Sequence, residues 1–320
     1  MEVLREPFAL PDSVSGTAVT AGFFDGVHVG HRALIARTRA EARALGVASA
    51  VLLLDRHPAT VVRPDSAPRL LTDLSQRLAL LRDLGVDYAA LLRFDEERSL
   101  QAPEDFVATV LAGELSARAV VTGEDFHFVL RRRGDAAMLS ALADRLGFRA
   151  VLVPPVSDGG TVVSSTSVRD VVAAGDMRRA SALLARPYEL HGVVEHGDGR
   201  GRTIGVPTAN VALPGDMLLP ADGVYAGWYR RGDGARIAAA ISVGRRPTFY
   251  DENGLLLVEA HLLDFEGDLY GEQAWVEVTD WIRGQERFAS VEELVAALER
   301  DVARTRELTL GPTGQSATSP

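Results

Sequence analysis

The hydrophobic pattern of this chain changes once along its length, near Arg186-Pro187-Tyr188. Before that point, short apolar runs alternate with stretches whose apolar residues recur at helical spacing. Such alternation is typical of βαβ units, whose strands form a parallel sheet. After that point, β-like runs punctuated by glycine follow one another without helices between them, which is typical of an antiparallel barrel. The sequence therefore predicts two domains of different architecture.

The first domain is predicted at residues 14–185 as a doubly wound α/β domain. Its strands are predicted at 17–21, 47–54, 88–92, 119–122 and 150–153. Its helices are predicted at 32–45, 74–84, 103–115 and 135–146. Right-handed crossovers would place the ligands of such a sheet beyond the carboxyl ends of its strands.

The second domain is predicted at residues 186–310, as an antiparallel β-barrel followed by one helix. Its strands are predicted at 190–195, 223–229, 237–243, 256–263 and 274–281. The helix is predicted from about 290 to 307, where Ser290 and Glu293 have the spacing of a capping box. The small polar residues 311–320 predict a flexible tail.

Composition excludes several classes of protein. The 320 residues are 47% hydrophobic and 24% charged, which suits two globular domains. No segment approaches the ~20 consecutive apolar residues of a membrane span, and the first residues lack the order of a signal peptide. The chain contains no cysteine, so disulfides and thiolate chemistry are absent. We expect a cytoplasmic protein without a membrane partner.

The charged residues narrow the choice of ligand. The formal net charge of −10 disfavours nucleic acid as a partner. The sequence contains no lysine, which excludes a Walker-type phosphate lysine and Schiff-base chemistry. Any bound phosphate must therefore be held by arginine, histidine, backbone N–H groups or a metal ion.

The first candidate site follows the first predicted strand of the α/β domain, in the run GFFDGVHVGH at residues 22–31. Glycines allow a phosphate to approach the backbone, and the helix that follows offers free N–H groups. His28 and His31 are three residues apart and can face one phosphate, where they would stabilise charge during nucleotidyl transfer. The absence of GxGxxG argues against a dinucleotide-dependent oxidoreductase, and a metal site would need a third ligand that the sequence does not identify.

This run resembles the signature of the bacterial FAD synthetase branch of nucleotidyltransferases, whose HxGH motif binds the phosphates of ATP. Segments 57–58, 122–128 and 163–169 agree with the family in order, and the last resembles its ISSTxIR motif. The resemblance implies a Rossmann-like nucleotidyltransferase domain with His28 and His31 as catalytic residues. The implied ATP-binding residues are Gly22, Phe24, Asp25, Gly26, Gly30, His57, Asp125, Ser164, Ser165, Thr166 and Arg169.

Parts of this site have simpler explanations. His57 alone could be a structural histidine, and the serines and threonine of segment 163–169 could be an ordinary helix N-cap. The chain also departs from the family, with Arg56 where proline is usual and Val129 and Leu130-Arg131 where glycines are usual. A β-branched valine does not easily adopt φ > 0, so an impaired or altered adenylyltransferase remains an alternative.

The second candidate site lies in segment 192–210, which is too rich in glycine for the interior of a strand. Its arginines indicate a phosphate-binding loop, although a glycine-rich stretch can equally be a turn. The run PTAN at residues 207–210 resembles the PTAN motif of riboflavin kinases. The resemblance implies that Thr208 and Asn210 hold Mg²⁺ against the phosphates of ATP. The implied ATP-binding residues of the loop are Gly199, Gly201, Arg202 and Gly205.

Glu259 matches the position of the family's catalytic glutamate. A carboxylate there could deprotonate a primary alcohol that attacks the γ-phosphate. Taken alone, an acidic residue in a predicted strand is more typical of a solvated face, so this role comes from the resemblance. Segments 223–226, 242–249 and 283–288 also resemble the kinase domain in order.

Together the resemblances imply a bifunctional enzyme that uses ATP and Mg²⁺, with flavins as substrates. Riboflavin would become FMN in the barrel, and FMN would become FAD and pyrophosphate in the α/β domain. Two alternatives remain: a riboflavin kinase with an impaired or altered adenylyltransferase domain, and a non-catalytic flavin-binding or flavin-sensing protein. Thr208, Asn210 and Glu259 argue against the second, because a binding protein needs neither a metal clamp nor a base. The sequence makes no prediction of oligomeric state.

Overall fold

The structure is a computed structural model that describes residues 1–124, 127–128, 134–197, 206–244 and 256–311. Contacts divide the chain into two compact units. Unit 1 comprises Met1–Pro68 and Leu74–Ser165, and unit 2 comprises Arg69–Asp73 and the chain from Thr166 onward. The domain boundary at residue 185 stays a prediction.

The core of unit 1 is a six-stranded sheet in the order β1-β4-β3-β2-β5-β8, in which every neighbouring pair is parallel. Two short antiparallel pairs, β6 with β7 and β9 with β10, lie outside it. The predicted parallel sheet is confirmed, with an additional edge strand, β1. The strands are β1 (Glu2–Arg5), β2 (Thr17–Gly22), β3 (Ala48–Leu54), β4 (Tyr88–Leu92), β5 (Ala117–Gly123), β6 (His127–Phe128), β7 (Gly134–Asp135), β8 (Arg149–Val153), β9 (Ser157–Asp158) and β10 (Thr161–Val162).

Helices connect these strands as predicted, and the stretch from 103 to 114 differs in detail. It begins as an α-helix, α5, and continues as a π-helix over Val107–Glu114. Asp95 and Asp135 are N-caps, since their carboxylates accept hydrogen bonds from the backbone N–H groups of Arg98 and Met138. The helices are α1 (Val29–Leu45), α2 (Ala59–Val62), α3 (Leu74–Asp83), α4 (Glu96–Leu100), α5 (Pro103–Phe106) and α6 (Ala136–Leu146).

Both faces of the sheet carry a hydrophobic core, as β3 illustrates. Ala50 and Leu52 belong to the cluster that includes α6, whereas Val51 and Leu53 belong to the cluster that includes α1 and α3. Alternate residues of a strand point to opposite faces, so a strand that is apolar throughout is buried on both sides. Each fully buried leucine or valine contributes about 1.5–3 kcal/mol relative to an exposed one.

The strand order creates a switch point beside β2. The chain passes from β2 to β3 and β4 on one side, and then returns to place β5 on the other side of β2. In open α/β sheets, ligands bind at the carboxyl ends of the strands where the order reverses. The carboxyl ends of β2 and β5 flank this position.

Unit 2 contains a closed barrel in the order β11-β12-β15-β14-β13-β16, and β11 closes it by pairing with both β12 and β16. The predicted antiparallel barrel is confirmed. One of its strands, β12, was not predicted, because it is short and follows the glycine-rich stretch. The strands are β11 (Tyr188–Glu195), β12 (Ala209–Leu213), β13 (Gly223–Arg231), β14 (Arg236–Val243), β15 (Leu256–Leu262) and β16 (Gln273–Gly284).

The helices described in unit 2 are α7 (Ser165–Ala173), whose first residue belongs to unit 1, α8 (Met177–Leu184) and α9 (Val291–Leu310). The predicted terminal helix is α9, and Ser290 caps it by accepting a hydrogen bond from the N–H of Glu293 at 3.2 Å. The Glu293 carboxylate accepts from the N–H of Ala289 rather than from that of Ser290, which makes this a variant of the expected capping box. None of the helices described here is long and apolar enough to cross a membrane.

Two arginine–carboxylate pairs join α9 to the barrel. Arg283 at the end of β16 binds Asp301, and its closest nitrogen–oxygen distance is 2.7 Å. Arg306 of α9 binds both oxygens of Asp264 at 2.8 Å. The hydrogen bonds from Arg306 lower the pKa of Asp264, while those of Asp301 raise the pKa of Arg283. Bidentate pairs fix orientation as well as distance, so they set the position of α9 against the barrel.

The segment Arg69–Asp73 belongs to unit 2 although the chain on either side of it belongs to unit 1. The N–H of Leu70 donates to the carbonyl of Asp216, and the N–H of Leu218 donates to the carbonyl of Leu70, both at 2.8 Å. His191 of β11 hydrogen-bonds Asp73 at 2.6 Å. These bonds add the segment to the barrel unit.

Candidate active sites

The loop after β2 has an unusual backbone. Phe24 and Val27 have φ values of 54° and 41°, in the left-handed region, and Gly26 between them has φ 78°. Left-handed conformations are strained for residues other than glycine, and most of all for a β-branched residue such as valine. Strain of this kind is typical of functional loops, and this one lies at the switch point of the sheet.

His28 and His31 come together at the start of α1. Their rings stack with centroids 3.7 Å apart, and the ring of Phe24 contacts His31 edge-on at 5.0 Å. His28 is only 5% exposed. Because His28 is the N-cap residue and His31 lies in the first turn, the pair is located at the N-terminus of α1. The arrangement suits an anion such as a phosphate.

Gly30 makes room for this pair. A Cβ atom at residue 30 would lie 3.1 Å from the ring of His28 and 3.4 Å from the carbonyl of Val163. Nearby, the Ser165 hydroxyl donates to the carbonyl of Asp25 at 3.0 Å. The two predicted motifs of unit 1 are therefore joined directly, although they are far apart in sequence.

His57 lies beside the same loop. Its Nδ1 accepts a hydrogen bond from the N–H of Ala59 at 3.1 Å, so the neutral ring carries its proton on Nε2. The ring contacts Phe23 edge-on with a centroid distance of 4.9 Å. The hydrogen bond from Ala59 and the contact with Phe23 thus fix the orientation of the His57 ring beside the loop.

Arg77 of α3 was not identified from the sequence. Its guanidinium donates to the carbonyls of Phe23 and Leu54, at 3.0 and 3.1 Å, and stacks over the ring of Phe23 at 4.0 Å. The side chain is 1% exposed, which is rare for arginine. Arg77 therefore ties together the carboxyl ends of β2 and β3 and places a positive charge beneath the loop. Its position could have indicated burial, because Arg77 lies three residues after Leu74 and so on the apolar face of the predicted helix.

The structure describes one of the positions at which this chain departs from the family pattern. Arg56 is an exposed residue whose guanidinium binds Asp55 at 3.0 Å, and Asp55 also accepts from the N–H of Phe94. The hydrogen bond to Asp55 raises the pKa of Arg56. Asp125, Val129 and Leu130-Arg131 lie outside the described residues.

The rest of segment 163–169 divides between the units. Ser164 and Ser165 belong to unit 1, whereas Thr166 and Arg169 belong to unit 2. Within unit 2, the guanidinium of Arg169 donates to the carbonyl of Arg69 at 2.8 Å. The ATP-binding roles of these four residues stay predictions.

In the barrel, a row of polar residues crosses four strands. Glu195, Asn210, Glu259 and Ser242 are successive cross-strand partners on β11, β12, β15 and β14. Their chain neighbours, such as Val211 and Val258, are buried in the barrel, so the row faces outward. The register thus brings together Asn210 and Glu259, which were predicted from separate motifs.

Gly197 shapes this row from the loop that follows β11. A Cβ atom at residue 197 would overlap the side-chain amide of Asn210, so only glycine allows this approach. The neighbouring His196 stacks on Tyr270 with centroids 3.7 Å apart. The other loop residues predicted to bind ATP, Gly199, Gly201, Arg202 and Gly205, lie outside the described residues.

Two further side chains support the row. Neither was selected individually from the sequence, although one of them, Gln285, lies in segment 283–288, which resembles the kinase domain. Gln285 donates to the hydroxyl of Ser242 at 3.1 Å and to the carbonyl of Val243 at 3.0 Å. His261 binds the carbonyl of Pro207 through Nδ1 at 2.8 Å. Pro207 directly precedes Thr208, a partly buried residue that stands immediately before β12.

The described residues contain no group of three or more histidine, aspartate or glutamate side chains that could hold a metal ion. Thr208 and Asn210 instead offer hydroxyl and amide oxygens, beside the carboxylate of Glu259. Hard oxygen donors of this kind suit Mg²⁺, which commonly retains water and binds substrate phosphates. The donor set therefore fits a magnesium–nucleotide complex.

The fold and these two clusters define a class, the two-domain transferases that act on nucleotide phosphates. A family model described as FAD synthetase matches residues 10–167, and one described as riboflavin kinase matches residues 184–309. Both agree with the resemblances drawn from the motifs.

Two relatives that are similar to this chain over most of their length are named for both activities. The bifunctional riboflavin kinase/FMN adenylyltransferase of Escherichia coli K12 is 37% identical over 91% of this chain and 92% of its own length. The Pseudomonas fluorescens protein of the same name is 38% identical over 96% and 98%. A crystal structure described as a Streptococcus pneumoniae macrolide-efflux protein is 30% identical over 95% of this chain and 98% of its own, with a TM-score of 0.83.

The chain belongs to the bifunctional riboflavin kinase/FMN adenylyltransferase family. The family assignment made from the motifs is therefore confirmed, and so are the two enzyme domains.

Proposed function

We propose that the barrel transfers the γ-phosphate of ATP to riboflavin with the aid of Mg²⁺, and that unit 1 then transfers the adenylyl group of a second ATP to FMN. The observation that carries the kinase part is the pairing of Asn210 with Glu259 on the outer face of the barrel. The observation that carries the adenylyltransferase part is the stacked pair of His28 and His31 at the switch point of the sheet.

In the kinase reaction, Glu259 accepts the proton of the primary hydroxyl of riboflavin. The hydroxyl oxygen attacks the γ-phosphorus, the bond from that phosphorus to the bridging oxygen breaks, and ADP leaves. Thr208 and Asn210 would hold Mg²⁺, which when bound neutralises charge on the phosphates. Because Asn210 and Glu259 are direct cross-strand partners, a nucleotide held at Asn210 would lie close to the base.

In the adenylyltransferase reaction, a phosphate oxygen of FMN attacks the α-phosphorus of ATP, and pyrophosphate leaves. His28 and His31 donate to the oxygens that gain charge, and the N–H groups of the first turn of α1 act in the same direction. His57 lies beside the same loop, where its ring contacts Phe23. No covalent enzyme intermediate is required.

The test is an incubation of the pure protein with riboflavin, ATP and Mg²⁺, in which FMN and FAD are resolved by chromatography over time. We expect FMN to form first and FAD to follow. FMN without FAD would support the alternative of an impaired adenylyltransferase, for which Arg56 and Val129 are the specific reasons. Neither product would favour a non-catalytic flavin-binding protein and would contradict the proposal.

A second incubation tests whether FMN formation requires a divalent metal ion in addition to ATP. We expect EDTA to stop FMN formation and Mg²⁺ to restore it, because the donor set at Thr208 and Asn210 consists of hard oxygens. Full activity in the presence of excess EDTA would show that the barrel needs no divalent cation.

A further inference from the structure

The hydrogen bond between His261 and Pro207 has a defined direction. Nδ1 of His261 lies 2.8 Å from the carbonyl oxygen of Pro207. A carbonyl oxygen only accepts hydrogen bonds, so Nδ1 must carry the proton and donate it. Protonation of the other ring nitrogen leaves this donor in place, so the bond persists in both charge states of the ring.

This bond lies where backbone pairing stops. The ladder between β12 and β15 begins with the pair Ala209 and Ala260, and Pro207 precedes it by two residues. Proline has no N–H with which to extend the ladder. The side chain of His261 therefore holds the chain at a place where main-chain hydrogen bonds with β15 have ended. Thr208 lies between the two attachments.

We propose that His261 is a positioning residue of the kinase site, which fixes Thr208 by holding the carbonyl of Pro207. The inference rests on the proposed function, in which Thr208 and Asn210 hold the magnesium–ATP complex. His261 and Glu259 are two residues apart on β15 and face the same side of the strand. One strand thus carries both the base and the support of the metal-binding segment.

Only one of the two conservative replacements of His261 can preserve the bond. The side-chain nitrogen of asparagine occupies the place of Nδ1, whereas that of glutamine occupies the place of Nε2. His261→Asn should therefore keep the donor to Pro207, and His261→Gln should lose it. Both variants are polar and uncharged, so they form a matched pair on a partly exposed site.

The experiment measures the rate of FMN formation against Mg²⁺ concentration for the wild-type enzyme and both variants, in the full chain. For His261→Gln we expect the half-maximal Mg²⁺ concentration to rise roughly 3- to 10-fold, the range for loss of one hydrogen bond. His261→Asn should remain close to wild type. Conversion of supplied FMN to FAD by the same preparations shows whether unit 1 is intact and should not change.

The outcomes separate the inference from the function on which it rests. If wild-type enzyme forms FMN and both variants show the wild-type Mg²⁺ dependence, His261 does not position the site and the inference is wrong. The same conclusion follows if asparagine and glutamine raise the Mg²⁺ requirement equally. If wild-type enzyme forms no FMN, the proposed kinase function fails first.

Discussion

The two candidate sites are positioned in opposite ways. The site of unit 1 lies in a loop beyond the strand ends, where Phe24 and Val27 have left-handed backbone conformations and a buried arginine holds the strand ends together. The barrel site lies on the outer face of a continuous sheet, where ordinary register aligns Glu195, Asn210, Glu259 and Ser242. A loop site thus depends on special local conformations, whereas a sheet site depends on pairing between distant segments.

The largest effect is expected from Glu259→Gln. The amide cannot accept the proton of the attacking hydroxyl, so FMN formation should fall by a factor of about 10²–10⁴. Conversion of supplied FMN to FAD should stay largely intact, because it uses the site of unit 1. Both rates are measured by chromatography of the flavins. Loss of both activities in a folded protein would overturn the assignment of one activity to each site.

The reciprocal variant is His31→Ala. Removal of one of the two imidazoles at the start of α1 should lower the rate of FAD formation from FMN by about 10²–10³, as for loss of a preorganised donor. FMN formation from riboflavin should not change. An equal loss of both activities would mean that the sites do not work independently, and unchanged FAD formation would exclude His31 from the reaction.

Arg77→Met tests whether the loop site depends on its buried support. The carbonyls of Phe23 and Leu54 lose a charged donor, so we expect a loss of about 2–4 kcal/mol in the stability of unit 1, seen as a lower thermal midpoint. FAD formation should fall more than FMN formation, and Arg77→Lys should restore part of both losses. Gln285→Met is the matched change in the barrel, where the hydrogen bonds lie near the surface and the effect should be small. Equal effects of the two methionine variants would contradict the contrast between the sites.

The smallest effect is expected from the pH dependence of the stability that His191 contributes. Its hydrogen bond to Asp73 raises the pKa of His191 above its ordinary value of 6.5. A pKa raised on folding stabilises the protein fully below about 6.5, and this contribution is lost as pH rises through the raised pKa. The thermal midpoint of wild type relative to His191→Asn should therefore decrease across that window. A constant difference between the two proteins would show that the histidine does not titrate with folding.

The sequence predicted the fold where each element carries its own local pattern. The parallel sheet and the barrel were both recognised from runs of apolar residues, and they are confirmed by the structure. Two strands of the main sheet and the barrel were not predicted: β1 has only four residues, and β12 directly follows the glycine-rich stretch. The two-residue strands β6, β7, β9 and β10 were not predicted either. The π-helix over Val107–Glu114 was also missed, since its residues have the same apolar character as the predicted α-helix.

The residues of the candidate sites also differ in how far a local sequence pattern identifies them. The histidine pair was identified from a contiguous run with glycines, since a strained loop needs residues that are recognisable in sequence. Ser242, Gln285 and His261 were not selected individually, although Ser242 and Gln285 lie in segments that resemble the kinase domain. Strand register places Ser242 beside Glu259, and side-chain hydrogen bonds connect Gln285 to Ser242 and His261 to Pro207. Arg77 was missed because the sequence of a helix does not distinguish a buried arginine from a solvated one.

The segment Arg69–Asp73 has a consequence for how the protein is made. It leaves the ribosome before any strand of the barrel, yet its backbone pairs with Asp216 and Leu218 of that later unit. The segment is therefore synthesised before its hydrogen-bond partners, and these bonds cannot form until the rest of unit 1 has been made. A gene fragment that starts at residue 186 would encode every described barrel strand and still lack these main-chain bonds, so unit 2 is not contained in one uninterrupted stretch of the coding sequence.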